Sequence, residues 1–180
     1  MSNTASGYIS TVGGGQYNTA SGSYTIVGGG RSNSTSNPFS TVSGGYRNIA
    51  NCNYSTISGG NNNLASGYNS TVGGGAGNSA CNANSTVSGG RQNTTSNYYA
   101  IVGGGLDNTA SGCLSGILGG RANLANQACS FIIGSNITSD RVCTTFVNNL
   151  SIKNIPTSSA GLPTKSVWFD SATCTLKMVP

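Results

Sequence analysis

The stretch TVGGGQYNTASG (residues 11–22) returns every fifteen residues along most of the 180-residue chain. Written in rows of fifteen, the sequence aligns without a gap. Val12, Val27, Val42, Ile57, Val72, Val87, Val102, Ile117 and Ile132 fall in one column, and Gly14, Gly29, Gly44 and their successors through Gly134 fall two places on. Asn3, Asn18, Asn33, Asn48, Asn63, Asn78, Asn93, Asn108 and Asn123 form a third column, followed two places later by Ala, replaced only at Thr35 and Thr95. A strict period this short marks a solenoid: one coil cannot bury its own apolar face, and its neighbours supply the core.

One row predicts the local structure of all. Ser70-Thr71-Val72-Gly73 carries a β-branched pair and ends at Gly74-Gly75, which can take the positive φ of a tight turn. It reads as a strand and a corner. Asn78-Ser79-Ala80 reads as a second short strand, and residues 81–84 close the coil with turn chemistry. Alternation along each strand then places Ser10, Val12 and Gly14 on the inside of one strand and Asn18 and Ala20 on the inside of the next, with Thr11 and Thr19 outside. A buried Asn needs partners, and identical amides one coil above and below are expected to supply them as a ladder. At about 4.8 Å per coil, nine coils make a rod roughly 40 Å long. One Val and one Ala per coil is a thin core against the entropy of ordering fifteen residues, so burial between chains is expected.

Composition narrows the function classes. Charged residues are 6% of the chain, with eight Lys or Arg, three Asp or Glu and no His, for a net charge of +5. Such a charge comes from scarce acids and lacks the dense basic stripe of a nucleic-acid binder. The opening MSNTASGYIS has no basic start and no apolar run, and nowhere do 18 apolar residues follow one another. Synthesis in the cytosol without a secretory signal and without membrane insertion is expected, and there the six cysteines would be free thiols by default.

Ile9, Tyr24, Phe39, Tyr54, Tyr99 and Leu114 share a column beside the closing corner, with Tyr8, Tyr68 and Tyr98 next to it. Long apolar stripes are rarely left open to water, so Tyr24, Phe39, Tyr54 and Tyr99 are the candidate interface between chains; a stacking platform for sugars is the other reading. Arg31, Arg91 and Arg121 share a column past the glycine corner, with Arg47 beside it. They form either a solvated edge or a candidate surface for acidic ligands. Cys113 and Cys129 stand one coil plus one residue apart and are the candidate disulfide, whereas Cys52 and Cys81 are two coils apart. Thr11, Thr41, Thr56, Thr71 and Thr86 form a partial outward ladder of the kind ice-binding solenoids use, interrupted by Ile26, Ile101 and Gly116. From about Thr138 the period is lost. The expected division is a β-roll over residues 1–137 and a small C-terminal β domain over 138–180, with strands at 144–152, 166–170 and 175–179.

The elements Ser10-Thr11-Val12-Gly13-Gly14 and Asn18-Thr19-Ala20-Ser21-Gly22, with their counterparts over residues 3 to about 137, resemble the head repeat of trimeric autotransporter adhesins of the YadA type. That resemblance implies a left-handed parallel β-roll, with three chains packed side by side. The expected secretory signal, coiled-coil stalk and terminal membrane barrel of such adhesins are not found in this sequence. Instead Thr145-Phe146-Val147-Asn148-Asn149-Leu150, Gly161-Leu162-Pro163-Thr164, Trp168 and Leu176-Lys177 resemble the terminal segment of fibre proteins in large DNA viruses and phages.

Catalytic readings lack their residues. Hexapeptide-repeat acyltransferases need a His base, and three aspartates with no His make no acid–base pair with the Ser or Cys residues here. No GK[ST] follows the triple glycines, no Asp recurs as calcium-binding rolls require, and no CxxC occurs. No enzyme activity, metal or cofactor is expected. The expected role is a structural and adhesive homotrimeric fibre head on a virion surface, binding host glycans or another virion protein by multivalent display. A capsid cement or filament subunit, assembling end to end through an uncapped first coil, is the alternative, with ice binding a distant third.

Overall fold

The structure, a computed structural model, describes residues 2–151, 156–158, 160, 161, 163, 164, 167–170 and 175–178. It divides into two units, Met1–Asn148 and Asn149–Pro180. The first is a parallel β-solenoid, with no helix among the described residues.

Each coil contributes one strand to each of two sheets. The first sheet has nine strands, from Thr4–Ala5 through Thr19–Ala20 to Leu124–Ala125; the second has ten, from Thr11–Val12 through Ile26–Val27 to Thr145–Val147. Most strands are only two residues long. Thr71 pairs with Thr86 and Ser79 with Thr94, a register of one row, so columns in the sequence are columns in space. A third ladder of single bridges runs from Gln16 through Arg31, Tyr46 and Arg91 to Arg121.

Val27, Val42, Val72 and the rest of their column are buried, as is the Ala column, and Val12 of the first coil is half-buried. Ser40, Ser55 and Ser85 are buried as well, each donating its hydroxyl to the carbonyl three residues back at 2.6–2.7 Å. Thr35 and Thr95 stand in the Ala column with buried hydroxyls that have no partner.

From Asn18 to Asn123 the Asn column is buried, with Asn3 exposed at its start, but its ladder differs from the expected amide-to-amide stack. Asn33 Oδ1 accepts the backbone N–H of Asn48 one coil on (2.9 Å), while its Nδ2 donates to the Gly29 carbonyl of its own coil (2.9 Å) and to the Gly45 carbonyl of the next (2.8 Å). The same three bonds recur at Asn18, Asn48, Asn63, Asn78 and Asn93. Direct bonds between amides join only Asn108 to Asn93 and Asn123 to Asn108. The backbone wins because the glycine corner turns inward a carbonyl, such as that of Gly29, that has no other partner, and unpaired it would cost more than an amide pair returns; the Gly45 carbonyl also accepts the Arg31 N–H.

Glycine roles also differ from the alternation argument. Gly14, Gly29 and Gly44 are not core: they are partly exposed, and a Cβ on any of them would meet nothing within 4 Å. The strand ends at Val12, so alternation stops before it reaches them. The demanding position is one further on. Gly15, Gly30, Gly45 and their column have φ of 83–94°, and a Cβ there would run into the next coil's glycine carbonyl and crowd the ladder amide, 2.6 Å away at Gly45.

The roll is longer than nine coils. Thr145–Val147, expected in a separate β domain, pairs parallel with Phe131–Ile133 as the tenth strand of the second sheet. A bulge explains the miscount: Ile117 pairs with Ile132 but Gly119 pairs with Ile133, so one residue is dropped and the last coil has fourteen. Leu124 meets Thr138 and Phe131 meets Thr145 in that shortened register. Ile137 and Phe146 pack partly buried against the core there, and the compact unit closes at Asn148 instead of 137. In the second unit Val167–Asp170 and Thr175–Met178 pair antiparallel, Val167 opposite Met178 and Asp170 opposite Thr175. Ile152, Ser166 and Val179, end residues of the expected strands, lie outside the described residues, as do Leu162 and Cys174.

Candidate functional site

Besides the Gly15 column, the coils enter the left-handed region at two further corners. One corner column, Ile9, Tyr24, Phe39, Tyr54, Asn69, Asn84, Tyr99, Leu114 and Cys129, has φ of 53–60°; the other holds Tyr17, Ser32, Arg47, Asn62, Gln92, Asp107 and Ala122 at 51–58°. Only Asn and Asp among these are at ease there; for the others the conformation costs about 1–2 kcal/mol. The sequence placed a closing corner here but not its left-handed conformation, because large side chains normally argue against positive φ. The signal was there in Asn62, Asn69, Asn84 and Gly77, which share the columns and tolerate it.

The first corner column carries the aromatic stripe, and backbone bonds between coils hold it: Tyr24 N–H donates to the Tyr8 carbonyl (2.7 Å) and Phe39 N–H to the Ser23 carbonyl (3.0 Å). Tyr24, Phe39 and Tyr54 stack almost parallel, with centroids 5.1 and 4.9 Å apart and planes within 1° and 3°. Tyr8 and Tyr68 close the stack edge-on at 5.6 and 5.5 Å. Asn69 and Asn84 interrupt the column, so Tyr99 stands apart from the other three candidate interface residues.

Two consequences follow from that geometry. Phe39 has both faces covered, by Tyr24 and by Tyr54, and a sugar can stack only on a free face. The ladder presents ring edges and tyrosine hydroxyls, which suits packing against another apolar surface better than carbohydrate stacking. Stacking returns about 0.5–1.5 kcal/mol per pair, which only offsets the corner strain. Tyr24, Phe39 and Tyr54 remain 44–45% exposed, so within one chain the stripe adds little net stability.

Arg31, Arg91 and Arg121 are exposed along the third ladder. The structure groups only the first with other polar side chains: Arg31 and Arg47 both lie over the Tyr46 ring, at 5.9 and 5.0 Å. Arg47 and Tyr46, outside the candidate set, therefore join Arg31, whereas Arg91 and Arg121 share the ladder without such a neighbour. The ion pair found among the described residues is Arg141 with Asp140, so the Arg31–Tyr46–Arg47 group carries two uncompensated charges at the surface.

Compared with protein-family models and with curated proteins, the sequence matches none. No enclosed cavity and no group of His, Cys, Asp or Glu placed for a metal ion occurs among the described residues.

Cys113 and Cys129 meet through the backbone, the Cys129 N–H donating to the Cys113 carbonyl at 2.8 Å, yet both are free thiols. Cys143, more than Cys113, is the neighbour that raises the Cys129 thiol above its ordinary value. Cys113 sits one place out of the corner column, whereas the fourteen-residue last coil brings Cys143 into it. Thr41, Thr56, Thr71 and Thr86 stand in unbroken register on the outer face of the second sheet, bounded by the exposed Ile26 and Ile101.

Proposed function

We propose that this chain is the head of a homotrimeric fibre on a virion surface, a left-handed β-roll whose small C-terminal β domain joins it to the rest of the assembly. The observation that carries the reading is the aromatic ladder from Tyr8 to Tyr68: rings held at strained corners, self-stacked and half-exposed, gain their stabilising burial only against another chain. A core of one Val or Ile and one Ala per coil supports the same conclusion. Attachment then falls to the columns past the glycine corner, where Arg31, Tyr46 and Arg47 offer two guanidinium groups to acidic host glycans, and three copies raise avidity without a strong single site. Synthesis in the cytosol and display on the released particle belong to this proposal.

The second reading is a cement or filament subunit. In its favour, Thr4–Ala5 pairs on one side only among the described residues, an edge that another unit can extend. Sedimentation of the purified chain, a glycan array and antibody labelling of intact particles separate the two. Discrete trimers, binding to acidic glycans and labelling on the outside support the fibre head. Filaments without glycan binding support the subunit reading, and a stable monomer refutes both.

A further inference from the structure

The fifteen-residue count conceals a pair of thiols in one corner column. Because the last coil has fourteen residues, Cys143 takes the position that Cys129 holds one coil earlier: Phe131 and Thr145, two residues beyond each, are register partners. Both cysteines adopt the left-handed corner, at φ 54° and 51°, and the Cys143 N–H donates to the Ala128 carbonyl at 2.9 Å as the Cys129 N–H does to Cys113. In-register positions on neighbouring coils lie about 4.8 Å apart, inside the roughly 4.4–6.8 Å Cα separation that a disulfide spans. Both side chains are exposed free thiols. Cys113 is out of column, and Cys52 and Cys81 are two coils apart.

We propose that Cys129 and Cys143 are an oxidation site, closing an intrachain disulfide that clamps the tenth coil onto the ninth when the protein passes from a reducing to an oxidising medium. With oxidised glutathione as the oxidant, one cysteine attacks as thiolate, forming a mixed disulfide and releasing one glutathione thiolate. The second thiolate attacks the protein sulfur of that mixed disulfide and releases the other. Two protein S–H bonds and one glutathione S–S bond are lost; one protein S–S bond and two glutathione thiols are formed, so electrons and protons balance. The clamp acts where the roll is weakest. Thr145–Val147 is the end strand of its sheet, and terminal units of a one-dimensional array open first. Cross-linking two neighbouring coils removes freedom from that opened state. None of this rests on the virion assignment.

The test uses the full chain, purified reduced, equilibrated with oxidised and reduced glutathione, alkylated and cut with trypsin. Cleavage after Arg91, Arg121, Arg141 and Lys153 puts Cys113, Cys129 and Cys143 on separate peptides, 92–121, 122–141 and 142–153. The expected product links 122–141 to 142–153 within one chain. Oxidation should also slow amide exchange at residues 145–147 at least tenfold, an effect abolished by reductant and by Cys143→Ser and retained in Cys113→Ser. A link between 92–121 and 122–141, a link between chains, or two free thiols after equilibration would overturn the site. The expected link with unchanged exchange at residues 145–147 would overturn the clamp.

Discussion

Asn63→Ala should be among the most damaging single changes in the chain, and the structure supplies the size of the effect. Asn63 is 1% exposed; its Oδ1 accepts the Asn78 N–H at 2.9 Å, and its Nδ2 donates to the Gly59 and Gly75 carbonyls at 2.9 and 3.0 Å. Truncation leaves the Asn78 N–H and the Gly59 carbonyl without a partner, while the Gly75 carbonyl keeps the Asn61 N–H at 2.9 Å. Two orphaned groups at about 1–3 kcal/mol each, plus about 1 kcal/mol for the third bond, give a loss of about 3–7 kcal/mol. For a folded unit of this size, stability on the order of 10 kcal/mol is ordinary, so the loss is a large fraction of the whole. Asn63→Asp should cost as much at neutral pH, because it turns the donor into a second acceptor facing two carbonyls. The same truncation at Asn3, which is exposed and makes two such bonds, should cost no more than about 1 kcal/mol. Denaturant unfolding followed by far-ultraviolet circular dichroism measures all three variants, at one protein concentration because the proposed assembly would shift the midpoint. A loss below about 1 kcal/mol for Asn63→Ala, or one equal to that of Asn3→Ala, would refute the ladder as the source of stability.

Adjacent glycines should behave differently. Gly90→Ala forces a Cβ into the Gly105 carbonyl and within 2.6 Å of Asn93 Nδ2 at a φ of 85°, and should lower stability by more than about 3 kcal/mol, whereas Gly89→Ala, with nothing within 4 Å, should lose less than about 1 kcal/mol on thermal melting. Thr95→Val keeps the shape of a buried side chain and removes a hydroxyl without a partner, so the unfolding midpoint should rise by the equivalent of about 1 kcal/mol. Phe39→Asn relaxes a corner at φ 60° and breaks the ring stack; on the proposed trimer, sedimentation should show dissociation to monomers with little change in the fold, and an unchanged oligomer would remove the aromatic stripe from the proposed interface.

Periodicity made most of the roll legible. Because each column maps one row onto the next by a fixed register, the Val, Ala and Asn interiors follow from spacing and strand alternation alone. Alternation failed where the strand did: with strands two residues long, Gly14 lies past the last alternating residue and faces open space, and Gly15 carries the steric demand. Of the candidate sites, the aromatic column was visible as a stripe, but not that Tyr24, Phe39 and Tyr54 cover one another's faces while Tyr99 stands alone. Ring orientation depends on the left-handed corner, which nothing in Tyr or Phe announces.

What the sequence determined by itself is the one-dimensional part: a parallel solenoid, its period, and the Val, Ala and Asn columns as interior. Those follow from repetition, since identical rows in register must place identical residues above one another. Tertiary structure alone decided how the buried amides are satisfied, where the chain turns left-handed, and that a fourteen-residue coil extends the roll to Asn148 and sets Cys143 beside Cys129. Each depends on backbone direction at a corner or a bulge, and there the choice is made by carbonyls and amide hydrogens that every residue carries alike.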